Sequence, residues 1–169
     1  MFLSNCASFL EGKMYLCSKF NAFDMIHDSL PMGVKLIQLP QHVDTRGCLT
    51  FLEGNVHLPF AVERVFWITD VPSDVMRGGH AHWTCHEVVF AAVGSFEIEV
   101  DDGEVCRTLV IDNPSTGILI PAGVWCELRH FAKGTVCVVM ASEPYDSTGY
   151  AHDRALWKAE KRRKDAVSC

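Results

Sequence analysis

The sequence predicts an all-β domain, an antiparallel sandwich or barrel, followed by one short C-terminal helix. Short extended segments recur from residue 34 onward, and turn residues separate them. In one of them Phe96, Ile98 and Val100 alternate with polar residues, which is the period-two pattern of a strand with one buried face. A helical pattern occurs only after residue 152, which argues against a parallel sheet with crossover helices.

Nine segments are predicted as strands. They cover residues 34–39, 48–53, 62–69, 86–93, 95–100, 104–111, 117–120, 124–130 and 134–142. Asp101-Asp102-Gly103 supplies turn residues between two of them and predicts a hairpin. Residues 88–93 are apolar on both faces, as in a strand inside a sandwich. Residues 153–164 place apolar side chains among charges and predict the helix.

The N-terminal part of the chain lacks such patterns. Residues 1–31 mix aromatic, polar and small residues without a sustained period, and we predict an N-terminal extension that is a candidate for disorder. Residues 32–152 form the β domain, and residues 153–169 form the helix and tail. With 169 residues, 49% of them hydrophobic and 21% charged, the chain suits one domain with a sizeable core rather than two.

Charge and hydropathy argue against several classes of partner. The formal net charge is -6 at pH 7, whereas nucleic acid and anionic membranes favour clustered Lys and Arg. No run approaches the roughly 20 apolar residues of a membrane helix, and the first residues lack the pattern of a secretory signal. The 8 cysteines include no CxxC pair, which favours free thiols in a reducing compartment. We therefore expect a soluble cytoplasmic protein that binds neither nucleic acid nor membrane.

The most informative motif is His80-Ala81-His82, with Arg77 upstream and Glu87 downstream. Residues two apart on a strand share a face, so both imidazoles point the same way. Paired side chains that titrate near neutral pH can take a proton from one atom and deliver it to the next. The same pair can also hold a metal ion. The motif therefore predicts either a proton-transfer site or a metal site.

The motif and its surroundings resemble the cupin superfamily. Gly78-Gly79-His80-Ala81-His82, followed by Glu87 and Gly94, is similar to the first cupin motif. Residues 117–126 are similar to the second motif, with Cys126 where that motif has its last histidine. The resemblance implies a jelly roll whose interior carries the site.

A narrower resemblance, from about residue 34 to 153, is to the nucleotide-sugar 3,4-ketoisomerases. The segments that carry it are Glu63-Arg64-Val65-Phe66, Arg77-Gly78-Gly79-His80-Ala81-His82, Gly94-Ser95, Asp101-Asp102-Gly103, Pro121-Ala122-Gly123-Val124-Trp125 and Ala141-Ser142-Glu143-Pro144-Tyr145-Asp146. The resemblance implies conversion of a dTDP-4-keto-6-deoxyhexose into its 3-keto isomer without a cofactor, for deoxysugar biosynthesis. It implies proton transfer by His80 and His82, substrate binding by Arg77, and a homodimer. Trp125 and Tyr145 are further candidates for substrate binding.

The chemistry of the residues fits this reaction. A proton on C3 is acidified by the neighbouring C4 ketone, so its removal gives an enediolate, and reprotonation at C4 moves the ketone. One imidazole can abstract and return the carbon-bound proton, and the other can serve the two oxygens. A guanidinium such as that of Arg77 can stabilise the negative charge or hold a phosphate.

Two departures from the ketoisomerase pattern leave alternatives open. Glu87 stands where that family tends to have glutamine, and Cys126 where it usually has histidine. Together with His80 and His82 they form a possible four-ligand set for zinc or iron, as in a metal-dependent cupin enzyme. Otherwise Glu87 is a buried carboxylate that orients a histidine, and Cys126 is a small core residue. A third alternative is a non-catalytic sugar-binding cupin.

Overall fold

A computed structural model describes residues 8–10, 13–15 and 30–167 of the protein. The strands within these residues are β1 (Ser8–Leu10), β2 (Lys13–Tyr15), β3 (Lys35–Gln38), β4 (Gln41–Asp44), β5 (Gly47–Thr50), β6 (Arg64–Ile68), β7 (Arg77–His82), β8 (Glu87–Val93), β9 (Phe96–Asp101), β10 (Cys106–Ile111), β11 (Thr116–Ile120), β12 (Trp125–Arg129), β13 (Val136–Ala141) and β14 (Tyr150–Ala151). A 3-10 turn at Ser147–Gly149 precedes β14, and helix α1 (Arg154–Val167) follows it.

The strands form two large sheets and a separate hairpin. One sheet has the order β1-β2-β10-β9-β12-β7-β14, the other has the order β3-β11-β8-β13-β6, and β4 pairs with β5. Within the described residues the strand pairings are antiparallel apart from the contact between β2 and β10. The predicted antiparallel jelly-roll sandwich of the cupin type, with a short C-terminal helix, is therefore confirmed.

The main hydrophobic core draws side chains from both large sheets. On β9 the predicted alternation holds, since Phe96, Ile98 and Val100 are at most 1% exposed. Val88 and Val89 are both buried although they point to opposite faces of β8, because Val88 packs with Leu58 in a second cluster. The prediction of a strand that is apolar on both faces is therefore confirmed.

Helix α1 covers the outer face of the seven-stranded sheet. Trp157 of this helix is 1% exposed and packs against Trp125 with ring centroids 5.6 Å apart. At the start of the helix, Arg154 donates to Asp101 at 2.6 Å. Burial alone would raise the pKa of the Asp101 carboxyl, but hydrogen bonds from Arg154 and from the backbone of Gly103 outweigh it and lower that pKa. No described helix has the length and apolarity needed to cross a bilayer.

Several strands lie outside the segments that the sequence predicts. Strand β7 consists of Gly and His beside Arg and Ala, which have little preference for strands, and β14 has only two residues. Strand β4 belongs to a hairpin whose residues are almost all exposed, so it carries no buried face to reveal it. Two further strands, β1 and β2, lie within residues 1–31, the N-terminal extension that is a candidate for disorder. The remainder of residues 1–29 lies outside the described residues.

Candidate active site

Strand β7 presents the two histidines of the motif on its inner face. The rings of His80 and His82 lie 5.1 Å apart, centroid to centroid, and are nearly perpendicular at 89°. His82 is 8% exposed, His80 is half-buried, and Ala81 between them is completely buried on the opposite face. The predicted side-by-side placement of the imidazoles is therefore present in the structure.

An irregularity in β7 changes the direction of Arg77. The pairing of β7 with β12 matches His80 with Cys126 but Gly78 with Glu127, so one residue of β7, Gly79, has no partner. Gly78 and Gly79 both have positive φ, at +73° and +70°, as a bulge of this kind allows. Arg77 consequently lies opposite Leu128, whose side chain belongs to the main core, and shares the face of the histidines. Without the extra residue Arg77 would share the face of Ala81.

A buried ion pair between Glu87 and Arg64 lies beside the ring of His82. Glu87, at the start of β8, is 4% exposed, and its Oε1 lies 3.2 Å from His82 Nε2. The same oxygen lies 3.6 Å from Nη2 of Arg64, at the start of β6. His82 Nε2 and Glu87 Oε1 approach closely but not in hydrogen-bond geometry. The sequence predicts Glu87 as a possible partner of a histidine, but no local pattern in the sequence points to Arg64.

A group of aromatic side chains faces the histidines from the C-terminal segment. Tyr150 on β14 lies directly opposite His82 on β7, and their ring centroids are 4.3 Å apart. The Tyr150 ring is also 5.0 Å from His80, and it stacks on His152 at 5.5 Å. Tyr145, a predicted substrate-binding residue, is 70% exposed at the edge of this group, 6.0 Å from Tyr150. Sequence reasoning assigned no site role to Tyr150 or His152.

An open cleft runs beside these residues. It has a volume of about 260 Å³, counting its open mouth, and His82, Tyr150 and Arg64 line it together with part of the segment between β13 and β14. Thr84 bridges to that segment by donating a hydrogen bond to Glu143 at 2.9 Å. Histidine and phenol groups therefore face a space that is open to solvent.

Burial shapes the acid–base properties of the site. Burial, and then the proximity of His82, lower the pKa of the His80 imidazole, and this outweighs the opposing effect of Glu87. His80 is consequently neutral at physiological pH and can accept a proton. Burial also raises the pKa of the Tyr150 phenol. Tyr150 therefore keeps its proton and can act as a hydrogen-bond donor.

Comparison with known proteins identifies the family. Residues 32–162 match the family described as FdtA: WxcM-like, C-terminal. The chain is 34% identical over 119 residues to the TDP-4-oxo-6-deoxy-alpha-D-glucose-3,4-oxoisomerase of Aneurinibacillus thermoaerophilus, an alignment that covers 70% of this chain and 86% of that protein. This chain belongs to the 3,4-ketoisomerase family.

Solved structures of ketoisomerases have the same fold. The QdtA sugar 3,4-ketoisomerase of Thermoanaerobacterium thermosaccharolyticum, solved in complex with TDP, matches with a TM-score of 0.77 and 33% identity, over 80% of this chain and 98% of that one. A 3,4-ketoisomerase from Helicobacter canadensis matches with a TM-score of 0.76 and 30% identity, over 78% of this chain and 99% of that one. Because almost the whole of each solved chain aligns, the family resemblance extends over the entire β domain.

Trp125, a predicted substrate-binding residue, is not brought together with the histidines of this family member. It is 3% exposed and lies on the outer face of the seven-stranded sheet, against Trp157. Its indole N–H donates to Glu127 at 2.9 Å, so its polar atom is already paired. The one-residue offset from Cys126, whose side chain enters the main core, places Trp125 on the opposite side of the sheet from the cleft.

The donors for the alternative metal site are only partly assembled. One ligand atom each from His80, His82 and Glu87 lie within 4.8 Å of one another, and Cys126 is not part of this cluster. Burial, followed by the nearby Glu87, raises the pKa of the Cys126 thiol, so the thiol is protonated in the metal-free protein. The Arg64 cation lies 3.6 Å from the carboxylate oxygen that a metal would need. A metal bound by the three clustered donors would therefore have to compete with Arg64 for the Glu87 carboxylate.

Proposed function

We propose that this protein moves the ketone of a dTDP-4-keto-6-deoxyhexose from C4 to C3 by proton transfer at His80 and His82, without a metal or other cofactor. The observation that carries the proposal is the pair of imidazoles, 5.1 Å apart, of which that of His82 lines an open cleft. The sugar isomerase activity follows from membership of the 3,4-ketoisomerase family. The oxoisomerase of Aneurinibacillus thermoaerophilus is named for a TDP-sugar, and QdtA was solved in complex with TDP, which supports a dTDP-sugar substrate.

The reaction needs two kinds of proton movement, and two bases can divide them. One imidazole removes the proton from C3 and delivers it to C4. The other carries the proton of the O3 hydroxyl to O4, so that O3 becomes the ketone. The distance between the rings suits this division, because C3 and C4 are adjacent atoms of one sugar ring and both must lie within reach.

Two of the predicted binding residues, Arg77 and Tyr145, are exposed, which suits contact with the nucleotide end of the substrate. Arg77 is exposed and lies on the same face as the histidines, which suits contact with the diphosphate better than contact with a buried sugar oxygen. Tyr145 is exposed beside the cleft and suits contact with the sugar or the nucleotide. We propose both as substrate-binding residues and leave Trp125 out of this set.

Solvent deuterium exchange tests the assignment of the histidines. We expect the wild-type protein in D₂O to incorporate deuterium into dTDP-4-keto-6-deoxyglucose and to form the 3-keto product. H80N and H82N should each lower the rate by about 10² to 10⁴, because each removes a positioned acid–base group. His130→Asn is a matched control, since His130 is exposed, pairs with Glu97, and has a positive φ that Asn tolerates. Normal turnover by both active-site variants would show that the roles are assigned wrongly.

The cofactor proposal has its own test. We expect purified protein to hold no stoichiometric metal by elemental analysis and to keep its activity after treatment with a chelator. A metal present at one ion per chain, with activity lost on chelation and restored by zinc or iron, would instead support the alternative set of His80, His82 and Glu87.

We also propose a cytoplasmic homodimer. Trp67 and Val65 of edge strand β6 are 68% and 49% exposed, and apolar side chains on a sheet edge favour association with another chain. The five described cysteines at positions 48, 85, 106, 126 and 137 are free thiols, which supports a reducing compartment. Light scattering on the purified protein should give twice the mass of one chain, and a monomer at micromolar concentration would contradict the dimer.

A further inference from the structure

We infer that Tyr150 is a catalytic residue of this isomerase and that Arg64 is the positioning residue that aims it. The Tyr150 hydroxyl would donate a hydrogen bond to the sugar oxygen that gains negative charge when the carbon-bound proton leaves. This inference rests on the proposed function, because it assigns a role within the same reaction. It adds a group that the histidine motif does not contain.

The pairing of β14 with β7 fixes the position of the Tyr150 ring. Strand β14 has only two residues, and one of them, Tyr150, lies directly opposite His82. Side chains of directly opposed residues share one face of a sheet. The ring accordingly contacts both histidines, with centroid distances of 4.3 Å to His82 and 5.0 Å to His80. A substrate held between the imidazoles is therefore within reach of the phenol.

Arg64 approaches the phenol from the opposite sheet. Its guanidinium lies close enough to the Tyr150 phenol for its positive charge to oppose the rise that burial causes in the phenol's pKa, and it pairs with Glu87 at 3.6 Å. The rings of Phe66 and Tyr145 lie 5.3 Å and 5.6 Å from its central carbon, which limits its movement. Since only 17% of the Arg64 side chain is exposed, its charge acts in a largely dry environment.

The chemistry of the guanidinium decides what Tyr150 can do. A guanidinium has donors only, so toward Arg64 the phenol oxygen can act only as an acceptor. The hydroxyl proton of Tyr150 is then free to point into the cleft that both side chains line. Donation to a phenol by a charged group also strengthens the phenol as a donor toward the next partner. The Arg64 charge therefore polarises the Tyr150 hydroxyl, and that hydroxyl can polarise the substrate oxygen. We call this pair of side chains the relay.

The relay has a defined place in the chemistry. When a histidine takes the C3 proton, the electron pair of the C–H bond forms the C3–C4 double bond, and the electrons of the C4 carbonyl move to O4. Tyr150 stabilises the resulting oxyanion by hydrogen bonding and keeps its own proton. The second histidine carries the O3 hydroxyl proton to O4, and as the first histidine returns its proton to C4, the electrons on O3 form the new C=O bond. At the end of the reaction both histidines and Tyr150 have their original protonation, and no bond between the sugar and the protein has formed. Donors aimed at developing oxyanions are among the largest contributors to catalysis.

The decisive variant is Tyr150→Phe, which removes one oxygen atom and keeps the ring against both histidines. We expect kcat to fall by about 10² to 10³, as when one oxyanion donor is lost. Deuterium incorporation should fall by the same factor. The KM for dTDP-4-keto-6-deoxyglucose should stay within about threefold of the wild-type value, because the interaction strengthens only in the transition state. The thermal midpoint should be close to that of wild type, since the packing is retained.

Arg64 is tested through its dependence on Tyr150. Arg64→Met should lower kcat about as much as Y150F, whereas Arg64→Lys, which keeps a charged donor, should recover part of the loss. In the Y150F background the R64M change should have little further effect on kcat, because the group it polarises is already missing. If the two losses instead multiply, Arg64 acts independently of Tyr150 and its positioning role is wrong.

The outcomes separate this inference from the proposed function. Wild-type turnover combined with a Y150F kcat within threefold of wild type would overturn the catalytic role of Tyr150 and leave the histidine mechanism intact. An increase in KM with unchanged kcat would also overturn it, since Tyr150 would then contribute only to binding. Absence of any turnover by the wild-type protein would overturn both proposals.

Discussion

Replacement of Gly78 by alanine tests whether the bulge in β7 builds the site. Gly78 has a φ of +73°, and a Cβ there would lie 2.9 Å from the backbone oxygen of Cys126 and 3.3 Å from Cδ1 of Leu128. The left-handed conformation costs an L-residue roughly 1–2 kcal/mol, and the forced contact adds about 1–3 kcal/mol because a backbone oxygen cannot rotate away. We therefore expect Gly78→Ala to lower the free energy of unfolding by about 2–5 kcal/mol.

A second glycine provides the control. Gly134 also has positive φ, at +79°, but a Cβ there would meet nothing within 4 Å. Gly134→Ala should therefore cost only the conformational term of roughly 1–2 kcal/mol. Urea unfolding followed by the fluorescence of the 4 tryptophans measures both variants under the same conditions. The difference between the two free energies isolates the contact with the β12 backbone.

The same substitution has a functional consequence that the control lacks. To relieve the contact, β7 must move away from β12 at the residues that aim Arg77 toward the histidine face. We expect the KM for the nucleotide sugar to rise in Gly78→Ala and to stay unchanged in Gly134→Ala. Equal stability losses in the two variants, or an unchanged KM in Gly78→Ala, would refute the conclusion that the bulge positions Arg77.

Two further predictions concern the packing of helix α1. Trp157→Ala should lower the free energy of unfolding by about 3–5 kcal/mol, because it empties a fully buried site against Trp125. The control is Leu156→Ala, at a position 69% exposed, which should change the free energy of unfolding by less than about 0.5 kcal/mol. The lowered pKa of Asp101 implies stability that is fully present above the unfolded value of about 4 and lost as the pH falls through the lower folded value. Asp101→Asn should therefore flatten the decline of the unfolding free energy below about pH 4, and an unchanged decline by urea titration would contradict the role of the Arg154–Asp101 pair.

The sequence predicted most of the fold because the buried strands carry their own periodic signal. Strand β9, with Phe96, Ile98 and Val100, is recognisable from a few residues, and so is the Asp101-Asp102-Gly103 turn. Strand β14 could not be predicted, since two residues are too few for a period, and its pairing with β7 depends on the path of the preceding chain. Strand β4 was likewise not predictable, because all of its residues are exposed and it has no buried face to give a pattern.

The candidate site was predictable only where its residues are close in sequence. His80 and His82 share a strand, so their spacing alone predicts a common face. Arg64 and Tyr150 meet them from β6 and β14, and no local pattern links residues that lie 18 positions before and 68 positions after His82. The side of the sheet that Trp125 occupies could not be predicted from the sequence for a related reason. A one-residue difference in register decides which face of β12 it occupies, and the helix that covers that face lies much later in the chain.

The small residue between the two histidines connects stability with catalysis. Ala81 is completely buried beneath Trp125 and Trp157, so a larger side chain there would push β7 inward toward the cleft. On either side, β7 is held by backbone pairing with β12 at His80 and with β14 at His82. The imidazoles are therefore fixed by the sheet and by the outer layer, and their separation does not depend on contacts with each other. A proton-transfer pair needs such support, because an error of about 1 Å in the position of a catalytic group can cost 10²-fold in rate.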